Sequence, residues 1–134
     1  MFEITIKGKV YKFKFGMGFL REINKTVGLP VQGIDTIKKN IGFQYNLSGL
    51  IDGDVESLVE ILLAANKGYE PRATKDILDD YIDDENTDID KLFDDILGFL
   101  KKANATKKTV KALLEELEKE KAKAEAQAKA QAKA

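Results

Sequence analysis

The stretch FEITIKGKVYKFKF, residues 2–15, alternates apolar and polar side chains around one central glycine. Phe2, Ile4 and Ile6 share one face, as do Tyr11, Phe13 and Phe15, with Glu3, Thr5, Lys7, Lys12 and Lys14 between them. A period of two on both sides of a turn predicts a β-hairpin with one apolar face. With Gly8-Lys9 as a two-residue turn, glycine leading as a type II′ turn prefers, Ile6 faces Tyr11, Ile4 faces Phe13 and Phe2 faces Phe15. The same register sets Glu3 opposite Lys14. A two-stranded hairpin is marginal alone, so its aromatic face must rest on helices or on more strand.

The period becomes helical at Met17, where Leu20, Ile23 and Val27 share a side, until Gly28 and Pro30 stop it. Residues 29–53 are rich in glycine and proline with scattered apolar residues. They read as a connection holding one short helix at 34–40 and a strand near 43–47. Asp54 is placed to cap a helix from Val55 to about Asn66, apolar over more than one face and stopped by Gly68. Thr74 can cap the next helix, with Ile77, Leu78, Tyr81 and Ile82 inward and Asp76, Asp79, Asp80, Asp83 and Asp84 outward. Thr87 or Asp88 opens a third, whose residues Ile89, Leu92, Phe93, Ile96, Leu97 and Leu100 form the cleanest helical stripe in the chain.

Asn104 to Thr106 read as a break. After it Val110, Leu113, Leu114 and Leu117 make one narrow stripe, and beyond Leu117 nothing larger than alanine is apolar. The sequence EKEKAKAEAQAKAQAKA, residues 118–134, is low in complexity but made of good helix formers. The expected fold is α+β, an N-terminal β-hairpin packed against four to five helices with a helical C-terminal extension. Residues 1–105 form the globular domain, and residues 106–134 form an amphipathic helix running into the Ala/Lys/Glu tail.

A chain of 134 residues has room for one domain, and 43% hydrophobic residues can supply its core. Charged residues make up 34%, which predicts a soluble protein with solvated helix faces. With no leader-like start and no apolar run of about 18 residues, the expectation is a cytoplasmic protein without a membrane partner. The net charge of −1 conceals three unlike parts. Residues 1–25 carry six basic against two acidic side chains, residues 26–100 six against sixteen, and residues 101–134 ten against five. Basic ends around an acidic middle can steer partners of either sign or bring two copies together, although exposed charges are screened within about 10 Å.

The absence of Cys, His and Trp removes thiolate nucleophiles, imidazole metal ligands and histidine acid–base relays. Asp83 to Asp88 lack the glycine and the distal glutamate that an EF-hand loop uses, so no metal site is expected there. Glu60, between Val59 and Ile61, is the carboxylate nearest to an apolar setting, but a helix turns it outward. Ser48 and Ser57 are the only serines and have no histidine base. No phosphate-binding glycine loop occurs, since Gly16-Met17-Gly18 has no third glycine at the needed spacing. No catalytic residue, cofactor or metal is therefore expected. Lys7, Lys9, Lys12 and Lys14, interleaved with Tyr11, Phe13 and Phe15, superficially suit a nucleic-acid platform. Alternation in a half-buried hairpin explains them equally well, and the acidic middle argues against nucleic acid as the partner.

The order of parts resembles the tail assembly chaperones of long-tailed bacteriophages and prophages of Gram-positive hosts. The likeness lies in the opening hairpin feeding Gly16-Met17-Gly18-Phe19, the leucine-rich helix followed by Pro71-Arg72-Ala73-Thr74, and Asp88-Ile89-Asp90-Lys91-Leu92-Phe93-Asp94-Asp95 running into Lys101-Lys102. It spans roughly residues 1–108. The resemblance implies a non-enzymatic protein of the host cytoplasm, absent from the mature virion. It would bind the tape measure protein and keep it soluble while the tail tube polymerises. It also implies a longer, frameshifted form that recruits the tail tube protein. Within that frame Val110, Leu113, Leu114 and Leu117 are the candidate partner-binding residues, for a client or for a homo-oligomer. The same stripe also suits packing back onto its own domain, and both readings stand at this point.

Overall fold

In the computed structural model, which describes residues 1–31 and 34–132, Lys7 and Gly8 lie at φ of 49° and 79° and turn the chain between two strands. β1 (Phe2–Ile6) pairs antiparallel with β2 (Lys9–Phe13). Two positive φ values in a two-residue turn make it type I′, centred on Lys7-Gly8 in place of the expected type II′ turn at Gly8-Lys9. The register is therefore corrected by two residues. Ile4 faces Tyr11, Phe2 faces Phe13 and Glu3 faces Lys12. A shift of two leaves every side chain on its expected face. Ile4, Ile6, Tyr11, Phe13 and Phe15 are all buried, and Lys7, Lys9, Lys12 and Lys14 are exposed.

α1 (Met17–Asn24) buries Phe19 and Ile23 and ends earlier than the periodicity suggests. Thr26 donates both its N–H, at 3.1 Å, and its hydroxyl, at 2.6 Å, to the Ile23 carbonyl oxygen. Val27 is already outside the helix, where its carbonyl oxygen accepts the Ile41 N–H at 2.9 Å. A second antiparallel hairpin follows, β3 (Gly28–Val31) with β4 (Ile34–Asn40). α2 (Gly42–Ile51) comes next. The expected helix at 34–40 is thus a strand, and the expected strand at 43–47 lies in a helix. Ile34, Thr36 and Ile37 are β-branched and have a pairing partner close behind them, which favours strand. Phe43, Leu47 and Leu50 are buried at helical spacing.

The glycines that resemble loop punctuation are helix contact points. A Cβ on Gly42 would overlap the carbonyl oxygen of Ile23, and one on Gly49 would overlap the Ser57 hydroxyl. Glycine lets α2 approach its neighbours at a distance other residues forbid. Gly42→Ala is expected to cost about 1–3 kcal/mol through this clash. Gly98, on the helix over residues 89–102, meets nothing within 4 Å of a built Cβ. Gly98→Ala is expected to gain about 0.5–1 kcal/mol from helix propensity alone. Urea midpoints of the two variants should move in opposite directions.

α3 (Val55–Asn66) is the centre of the molecule and contacts α1, α2 and β2. Leu58, Ile61 and Leu62 have no exposed surface, and Val59, Ala64 and Ala65 are buried around them. Its cap is the expected Asp54, whose carboxylate accepts the Glu56 N–H at 3.2 Å and the Ser57 hydroxyl at 3.0 Å. Gly68, at φ of 88°, takes the chain away after its end. α4 (Lys75–Asp83) and α5 (Ile89–Lys102) start at the expected Thr74 and Asp88, which accept the N–H groups of Ile77 and Lys91. Leu78, Leu92, Ile96 and Leu100 enter the core, while Asp76, Asp79, Asp80, Asp83 and Asp84 stay in water.

Asn66 joins these parts. Its side chain is fully buried at the last position of α3. The amide nitrogen donates to the carbonyl oxygens of Lys12, at 3.0 Å, and Pro71, at 3.3 Å. Its oxygen accepts the Ala73 N–H at 2.6 Å. The neighbouring backbone bond, Lys14 N–H to the Ala65 carbonyl oxygen at 2.9 Å, ties the end of β2 to the same helix. One amide thus satisfies backbone groups of β2, the 67–74 loop and the approach to α4, none of which could be left dry without cost.

A second buried polar residue makes the corner at the end of α5. The Thr106 hydroxyl donates to the Leu100 carbonyl oxygen at 2.7 Å, and its own carbonyl oxygen accepts the Val110 N–H at 3.0 Å. The corner launches α6 (Lys107–Ala132), about 39 Å long at 1.5 Å per residue. Its first turns pack on α2 and α5. From Glu118 to Ala130 every residue is exposed. Residues 133–134 of the expected tail lie outside the described residues.

Candidate functional site

The stripe on α6 is divided by how it meets the body. Val110 has no exposed surface and belongs to the core, where full burial of a valine side chain contributes about 1.5–3 kcal/mol. Leu113 and Leu114 are half-buried and pack against that core. Leu117, one turn further out, is half-buried and stands outside the core cluster. Part of the stripe therefore anchors the helix and part remains at the surface.

Two open grooves flank the anchored turns. At the start of α6, a groove of about 590 Å³ is lined by Lys101 of α5 and by Lys107, Lys108, Lys111, Leu114, Glu115 and Glu118 of α6, with the fully buried Val110 beneath it. Between α2 and α6, a groove of about 520 Å³ is lined by Leu113, Ala112, Gln44 and Ser48. The first is apolar and basic. The second is more polar, although Tyr45 stands exposed on the same helix as Gln44 and Ser48. The Thr106 hydroxyl bond lies at the turn between α5 and α6, and Lys101 before that turn lines the first groove with Lys107 and Lys111 after it. Sequence periodicity finds the leucines but cannot find a groove whose walls come from two helices.

The remaining candidates for chemistry have structural roles. Tyr11, Phe13 and Phe15 are turned into the core, so the lysine face of the hairpin has no aromatic rings on which bases could stack. Phe13 and Phe15 instead join a run of rings, with Phe2 against Phe13 at 6.0 Å and Phe15 against Phe19 at 5.3 Å. Ser57 spends its hydroxyl on the Asp54 cap. Glu60 is half-buried and sits 3.4 Å from the Lys75 ammonium. Glu22 receives a hydrogen bond from Lys67 at 2.6 Å, and that bond holds its carboxyl below the ordinary glutamate range. Lys7 reaches Asp80 on the acidic face of α4 at 3.8 Å, an exposed pair of little weight. Among the described residues no three acidic side chains converge as metal ligands would, and no helix is long and apolar enough to cross a membrane.

Comparison with curated proteins and with solved structures found no match. A family model described as phage tail assembly chaperone protein, TAC, matches residues 3–115. That span runs from the first strand through the anchored turns of α6 and stops two residues short of Leu117. With well over half of its length matched, the chain belongs to the phage tail assembly chaperone family.

Proposed function

We propose that this chain is a non-enzymatic chaperone that binds the tape measure protein and keeps it soluble while tail tube subunits polymerise around it. It works in the host cytoplasm and is left out of the mature virion. A longer, frameshifted form brings in the tail tube protein, and several copies act together on one client. The observation that carries this reading is membership of the tail assembly chaperone family over residues 3–115. The surface supports it: Leu113, Leu114 and Leu117 leave an apolar strip on a helix that protrudes from the body, the kind of surface that covers an amphipathic helix of a client. Residues 1–105 serve as the folded body, and residues 106–134 serve as the helical arm that carries the strip.

The reading is tested with purified components. Tape measure protein diluted from denaturant should scatter light strongly alone and weakly with an equal or greater amount of this chain. Scattering that is the same with and without the chain would overturn the proposal.

A further inference from the structure

We propose that one copy of this chain docks on the next by strand addition: the outer edge of β1 takes the outer edge of β4 from a second copy, antiparallel, with Glu3 opposite Lys38. That the resulting row of copies lies along a client rests on the chaperone reading above; the chemistry of the two edges does not.

The four strand edges differ in what they leave free. Lys7-Gly8 is a two-residue turn, so Ile6 and Lys9 form a hydrogen-bonded pair, and alternate residues before and after them turn their N–H and C=O groups away from the partner strand. On the β2 side these groups meet α3. The Asn66 amide donates to the Lys12 carbonyl oxygen, and the Lys14 N–H donates to that of Ala65. On β1 the outward groups are those of Glu3 and Thr5, both exposed residues, and among the described residues no other element bonds to them. A groove of about 310 Å³ runs along Phe2, Glu3, Ile4 and Thr5 with no residue of β2 in its lining, which places it on this open edge. Its facing wall carries Asp88 and Asp95 against Lys91, so with Glu3 the edge is acidic.

In the second hairpin the Ile41 N–H donates to the Val27 carbonyl oxygen, which makes these two a hydrogen-bonded pair. By alternation the pairs Gly28 with Asn40 and Pro30 with Lys38 point their backbone groups outward. Pro30 has no N–H to offer, so the outer edge of β3 is blunted. The outer edge of β4 is not, since Lys38 and Asn40 each present an N–H and a C=O. β3 and β4 pack chiefly on each other. The β4 sequence holds Lys38 and Lys39 against the single acid Asp35. Two edges are therefore open, one acidic and one basic, and an open edge is a template for another strand. Joining β1 to β1 would gather Glu3, Asp88 and Asp95 of both copies, and joining β4 to β4 would gather lysines. Only β1 against β4 sets opposite charges across the new pair. Because two different edges meet, each copy keeps one of each and the contact repeats head to tail.

Sedimentation velocity on the full chain should show self-association that grows with concentration and weakens as salt is raised. Glu3→Lys and Lys38→Glu should each weaken it by about tenfold or more when studied singly. Mixed in equal amounts, the two variants should associate again, because each then offers the other opposite charges at both edges; an unfolded variant could not be rescued in this way. In the unaltered chain, amide hydrogen exchange at Glu3 and Thr5 should slow as concentration rises, while exchange at Ile4, whose N–H already faces β2, should not change. A chain that stays monomeric at every concentration would overturn the proposal. So would association indifferent to both reversals, folded variants that do not recover on mixing, or exchange at Glu3 and Thr5 that is the same in monomer and assembly. Association through these edges beside a client that stays insoluble would uphold them and remove only the chaperone reading.

Discussion

Asn66→Leu should cost about 3–4 kcal/mol, a large share of the 5–15 kcal/mol that holds a domain of this size together. The replacement keeps the volume and removes the hydrogen bonds. The buried Ala73 N–H and the part-buried carbonyl oxygens of Lys12 and Pro71 then lose their partner. Each stranded backbone group costs about 1–3 kcal/mol, less than additively because the loop can relax. Chemical denaturation should show the midpoint falling steeply, while the same change at the exposed Asn104 should leave it within about 0.5 kcal/mol of the parent. A loss below about 1 kcal/mol for Asn66→Leu would mean that β2, the loop and α4 are held together by apolar packing alone.

The second large effect concerns association. Leu117 lies beyond the core cluster, so Leu117→Asp should leave the melting temperature nearly unchanged and reduce client binding by about tenfold or more. Leu113 packs against the core, and Leu113→Asp should lower both stability and binding. The pair therefore separates two uses of one stripe. Binding retained in a folded Leu117→Asp variant would show that the outer turn takes no part. Binding lost only in step with stability would show that the stripe serves the fold and nothing else.

Three of the helices were legible because their signals agree at two levels. Asp54, Thr74 and Asp88 each stand before an apolar stripe of helical period, and each carboxylate or hydroxyl accepts a backbone N–H at the helix start. The hairpin was legible in its faces but not its register, since alternation is unchanged by a slip of two and only the turn decides between them. Residues 28–51 misled for a physical reason. Gly42 and Gly49 look like breaks in a sequence and are close contacts in space, where the Ile23 carbonyl and the Ser57 side chain leave no room for a Cβ.

The same limit applies to the surface. Val110, Leu113, Leu114 and Leu117 declare themselves by spacing along one helix. Lys101 joins Lys107, Lys108 and Lys111 across the turn at residues 103–106, a neighbourhood that spacing along one helix does not show. Asn66 gave no signal at all: an asparagine before a lysine and a glycine reads as the start of a loop, and its burial depends on a strand more than fifty residues earlier in the chain.

The most direct test of the chaperone role is co-expression of this chain with the tape measure protein, followed by measurement of how the latter divides between supernatant and pellet. Recovery of the client in the supernatant, retained on the tagged chain and lost with Leu117→Asp, is the expected result. A client found in the pellet, with the folded chain alone in the supernatant, would contradict it.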